Sequence, residues 1–206
     1  MFFTKKTLSK QISYLFLMSC NSKKINLLGY KTSNTFERLF KISCILFSYL
    51  QFLLQSTNQH GVHSPFVYNY ITKGLYEVKK DANISNKTNQ WLLQSIQYFK
   101  PSKICFLDEG LSVVACKVNT NDNVELPEAD LILDRYEAKN HARILQTIEN
   151  MNNSQLLLIA SYKKYPKSFF DALRQNPKIT LVIDFYYGCL VSKRTEQPKQ
   201  NFFIRY

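Results

Sequence analysis

The chain has 206 residues, of which 45% are hydrophobic and 20% charged, with a formal net charge of +12 and only five glycines. That is enough apolar material for one compact α/β or α+β domain with a small appendage, and little glycine for a phosphate-cradling loop. Five cysteines without CxxC spacing, beside three histidines, argue against a disulfide framework and a Cys/His zinc site and for a reducing, cytoplasmic compartment.

The basic residues gather towards the two ends. Lys5, Lys6, Lys10, Lys23, Lys24, Lys31, Arg38 and Lys41 lie in the first fifth, and Lys193, Arg194, Lys199 and Arg205 close the chain. Solvated lysine-rich ends are the plain interpretation, and contact with RNA or acidic lipid is the alternative. Residues 1–36 read as a basic, disordered extension or as a start placed too far upstream. The run Ile12 to Met18 before Ser19-Cys20 loosely matches a bacterial lipoprotein signal, which makes lipidation at Cys20 the minor alternative.

Residues 38–56 (RLFKISCILFSYLQFLLQS) have helical length, but Lys41, Ser43, Ser48, Gln51 and Gln55 interrupt them, which favours a packed helix over a membrane span. The turn-forming STNQHG stops that helix, and Ser64-Pro65 supplies a cap and a first helical position for FVYNYITKGLY. A polar linker, KKDANISNKTNQ, leads into the amphipathic helix TNQWLLQSIQYF, which Lys100-Pro101 ends. Strands are then expected at 103–107, 129–134 and 155–160, with helices over 138–151 and 166–176. Residues 178–194 form a closing hairpin around Tyr187 and Gly188, with an antiparallel strand at or near one sheet edge. Apolar strands alternating with helices imply a mostly parallel sheet covered on both faces. Cys105 and Cys189 fall inside the apolar runs and read as core residues.

Three stretches carry a family resemblance: HGVHSPFVYNYITKGLY, IQYFKPSKICFLDEGLS and ITLVIDFYYGCLVSKRTEQPKQNFFIRY. Together they resemble bacterial class I S-adenosylmethionine-dependent methyltransferases of the O-methyltransferase-like subgroup that opens with HGxHSPFV. The resemblance covers roughly residues 38–118 and 128–206. It implies a truncated Rossmann-like sheet, mostly parallel with a C-terminal antiparallel hairpin, preceded by N-terminal helices. Residues 37–206 would form one such domain, with a helical part over 37–100. The implied cofactor is S-adenosylmethionine, bound near Asp108, Gly110 and Ser112. His60, His63 and Asp134 are the candidates for removing a proton from the acceptor, a small molecule or RNA. Homodimerisation is left open.

Three departures from the family pattern weaken the catalytic expectation. Phe106 stands where an acidic residue is expected, Asp108 replaces the first glycine of the cofactor loop and Ser112 the last, leaving Gly110 at a neighbouring position. Only KVNTNDNVELPE separates this loop from the next strand, too short for the usual two strand–helix units, and Asp122 and Glu125 do not easily replace the missing ribose-binding acid. At the third strand, Leu158-Ile159-Ala160-Ser161 lacks the carboxylates of metal-dependent members. Asp134 then reads as an exposed strand-end residue or helix cap, and no metal site is expected. The expectation is a methyltransferase-like protein with weakened or lost catalysis. The alternatives are a non-catalytic scaffold or interaction protein derived from that fold, and a basic RNA-binding module.

Overall fold

A computed structural model of the protein describes residues 34–111, 114, 124–161, 166–196 and 198–205, with side chains described from residue 42 onward. Ser112 and the residues Cys20, Cys116 and Asp122 lie outside the described residues. The chain divides into two compact units, residues 1–56 and 57–206.

In the first unit the described element is helix α1 (Asn34–Gln55). Among the described residues no helix is long and apolar enough to cross a membrane.

The second unit is α/β. Helix α2 (Pro65–Asn69) runs directly into a π-helical segment, Tyr70–Tyr76, and α3 spans Lys87–Phe99. Strands β1 (Ile104–Phe106) and β2 (Leu131–Arg135) precede α4 (His141–Asn150), and β3 (Leu156–Ala160) precedes α5 (Lys167–Gln175). Strands β4 (Leu181–Asp184), β5 (Gly188–Ser192) and β6 (Gln200–Phe203) complete a six-stranded sheet in the order β1-β2-β3-β5-β4-β6. All neighbouring pairs are parallel except those made by β5.

The position of β5 corrects the expected edge placement. It lies between β3 and β4, two strands in from the β6 edge. All five of its residues are buried, so an edge position would have left apolar side chains and ladder groups exposed. The tight turn that reverses the chain uses Tyr186 at φ 73°, and the Asp184 carboxylate accepts from the Tyr186 N–H at 2.7 Å.

Successive strand residues divide into two cores, as the pleat requires. Leu131, Leu133, Leu158 and Leu190 join Tyr70, Trp91 and Leu92 on the α2–α3 side. Ile132, Leu157, Val182 and Val191 join Ile144, Ile148 and Phe169 on the α4–α5 side. Cys105 and Cys189 are both buried in this second core. On the first side, the Tyr70 hydroxyl accepts from Trp91 Nε1 at 2.9 Å and pairs with Ser95 Oγ at 2.6 Å. Burial pushes that phenol well above its ordinary pKa, so it stays neutral. Gly188 is required by the same packing, since a Cβ there would lie 2.4 Å from the Trp91 ring.

The segments that carry the family resemblance meet each other. Phe66, from HSPFV, stacks on Phe99 with ring centroids 6.1 Å apart and lies 4.8 Å beneath the guanidinium of Arg194, from VSKR. The adjacent Lys193 is buried, and its ammonium donates to the carbonyls of Ile148, Glu149 and Met151 at 3.0, 3.2 and 2.6 Å. It therefore satisfies the free carbonyls at the C-terminus of α4. Burial lowers the pKa of this ammonium. Both motifs thus hold helices to the sheet.

Candidate functional site

Parallel α/β sheets place chemistry at the carboxyl ends of their strands, where loops leave the sheet and helices begin. At the ends of β1 and β2 this protein gathers Asp108, Gly110, Asp134, Arg135 and Arg143. Asp108 follows β1, and its carboxylate accepts from the Gly110 N–H at 2.9 Å, fixing the turn Glu109–Leu111. The same oxygen lies 3.6 Å from Arg135 Nη2. Asp134 and Arg135 are the last two residues of β2, and Arg143 reaches back from the first turn of α4.

Asp134 is fully buried, which corrects its expected exposure. The side chain follows Leu133 and so turns to the α4 face. Its Oδ1 accepts from the Arg135 N–H at 2.7 Å and from Arg143 Nη2. Its Oδ2 is buried and has no hydrogen-bond partner. Burial raises the pKa of this carboxyl, outweighing the bonds from Arg135 and Arg143, and the nearby Asp108 charge adds to the rise. Burial and the Asp134 charge likewise push up the Cys105 thiol, so it is a poor nucleophile.

The histidines are not brought to this cluster. Thr57 pairs with Ile204 beyond the end of β6, and the turn Gln59–Gly61 folds back so closely that a Cβ on Gly61 would lie 3.0 Å from Thr57. β6 is four strand spacings from β2, about 19 Å across the sheet. His60 and His63 are both exposed, and among the described residues neither imidazole makes a hydrogen bond or ion pair. The loop is held instead by buried Val62, which joins the α2–α3 core, and by the pairing of Thr57 with Ile204. Ser64 occupies the cap position of α2, but its hydroxyl makes no capping bond, and only its carbonyl accepts, from the Tyr68 N–H at 2.8 Å.

Arg135 and Arg143 were not singled out from the sequence. The signal that could have found them is DRYEAKNHAR, a strand-end aspartate flanked by arginines on either side of a helix start. The cluster pairs two carboxylates with two guanidiniums and so neutralises itself. A guanidinium cannot serve as a base, and a fully buried carboxylate already bonded to two donors cannot reach a substrate proton. Among the described residues no group of three or more His, Cys, Asp or Glu side chains could hold a metal ion.

The cluster also bears on S-adenosylmethionine. A cofactor of that kind needs open glycine backbone after the first strand and an acidic group for its ribose hydroxyls. Here a Cβ on Gly110 would lie 2.7 Å from Arg135 Nη2, so the tip of the Arg135 side chain lies over the glycine. Strand β1 ends in Phe106, and Val124 donates to the Ile104 carbonyl at 3.1 Å along its outer side. Glu125, beyond it, is exposed and starts the short turn Leu126–Glu128. The described residues do not fit the cofactor. Comparison with protein-family models, curated proteins and solved structures finds no match for the chain.

Proposed function

We propose that residues 57–206 are a Rossmann-like, methyltransferase-derived scaffold in which cofactor chemistry has been lost, and that the protein acts through binding. The observation that carries this is the filled face of Gly110. Arg135, held near Asp108, occupies the approach that the resemblance assigns to S-adenosylmethionine. Two further features support it. The carboxylate aligned with the family's strand-end aspartate, Asp134, is sealed under Arg143. The first and third of the stretches that carry the resemblance serve packing, through Phe66, Lys193 and Arg194.

A melting curve of the full chain with and without millimolar S-adenosylhomocysteine tests this proposal. A ligand at a hundred times its dissociation constant adds about 2.7 kcal/mol to folding stability, a shift of several degrees for a chain of this size. An unchanged melting temperature is expected. A saturable rise would overturn the proposal and restore a working cofactor site.

A further inference from the structure

We propose that helix α1 is a membrane-surface anchor whose apolar face lies in the headgroup boundary of an anionic lipid bilayer. Ile42, Ile45, Leu46, Tyr49 and Leu50 recur at the spacing of a single helical face, and all are exposed, Ile45 at 59% and Leu46 at 57%. Among the described residues the other exposed large apolar side chains, Tyr68 and Tyr76, belong to the second unit. A contiguous apolar stripe marks an interaction surface, whereas single exposed side chains do not.

Charge decides what covers it. The stretch from Ile42 to Gln55 contains no charged residue, while Lys41 immediately precedes it. Residues 1–41 hold eight of the 27 Lys and Arg residues and, in Glu37, one of the 15 acidic ones. An apolar face preceded in the sequence by a basic stretch matches a surface that is apolar beneath and anionic above. Two copies meeting through this face would bring two such basic segments together, and RNA would leave the apolar stripe in water. The helix is also not apolar enough to span the bilayer, which leaves it lying in the surface plane. Tyr49, with an apolar ring and a polar tip, suits that depth.

Flotation of the full chain with lipid vesicles tests the proposal. The chain should float with vesicles of phosphatidylcholine containing phosphatidylglycerol, and not with phosphatidylcholine alone. Added salt should weaken the association, because the basic contribution is screened. Replacing Ile42, Leu46 and Leu50 together by Gln should lower partitioning by about a hundredfold or more, since three aliphatic side chains lose their burial. All three are exposed, so the far-ultraviolet circular dichroism spectrum and the melting temperature of the variant should match those of the natural chain. Equal flotation of the variant would overturn the proposal, as would failure of the natural chain to float. A dimer in sedimentation equilibrium that the same substitutions dissociate, without vesicle binding, would overturn it by assigning the face to a second copy.

Discussion

Replacing Asp134 by Asn separates a sealed structural carboxylate from a reactive one. Asparagine keeps the volume and an Oδ1 that still accepts from the Arg135 N–H and from Arg143. What disappears is the charge on a group whose Oδ2 has no partner. Leaving a buried acceptor unsatisfied costs about 1–3 kcal/mol, and more when it is charged. The pairing with Arg143, whose side chain is 41% exposed, offsets only about 1 kcal/mol of this. The Asn amide is itself left without an acceptor, so at pH 7 the variant should lie within about 1 kcal/mol of the natural chain.

The pH dependence is the sharper prediction. Burial raises the folded pKa of Asp134 above the ordinary value of about 3.9. Between the two values the folded protein holds a proton that the unfolded chain has released, so stability is lost as the pH rises through the folded pKa. Asp134→Asn lacks this loss. The difference in stability should therefore move in favour of Asn as the pH rises from about 4 through the raised folded pKa. Arg143→Met should do the reverse: it removes the pairing from a buried carboxylate, costs about 1 kcal/mol at neutral pH, and costs less as Asp134 becomes protonated. Urea denaturation of the three proteins across that range measures both effects. A loss above about 2 kcal/mol for Asp134→Asn at pH 7, or a gap that does not change with pH, would refute the argument.

Two other substitutions test the remaining assignments. Gly188→Ala forces a Cβ against the Trp91 ring, a rigid group in a packed core, and should cost about 3 kcal/mol, read as a lowered denaturation midpoint; an unchanged midpoint would show that α3 can shift away from the sheet. Replacing both His60 and His63 by Ala should change stability by less than about 0.5 kcal/mol, because both imidazoles are exposed, whereas a larger loss in the same denaturation assay would mean that they hold the loop after all.

The central strands were legible in the sequence because they are buried on both faces. LIL and LLLIA read as unbroken apolar runs, and the polar spacing of the helices between them fits one buried side. Strand β6 was not separated from the terminal hairpin, because QNFF is half-buried and its Gln and Asn weaken the pattern. The interior position of β5 was missed for a different reason. A hairpin between β4 and β5 is a local feature, but the partner on the far side of β5 is β3, about thirty residues earlier, and only three-dimensional packing selects it. The candidate site was legible in part. Asp108, Gly110 and Asp134 come together at the adjacent ends of β1 and β2, while His60 and His63 lie elsewhere. The closure of that site by Arg135 and Arg143 depends on side chains reaching across a loop and a helix turn, for which spacing along the chain gives no rule.

Titration calorimetry of the full chain with S-adenosylmethionine and with S-adenosylhomocysteine bears most directly on the central claim, that the face of Gly110 is closed to the cofactor. The proposed loss of cofactor chemistry predicts no binding heat from either ligand up to millimolar concentration, with the guanidinium of Arg135 lying against Gly110. A saturable isotherm with a sub-millimolar dissociation constant for either ligand would contradict it.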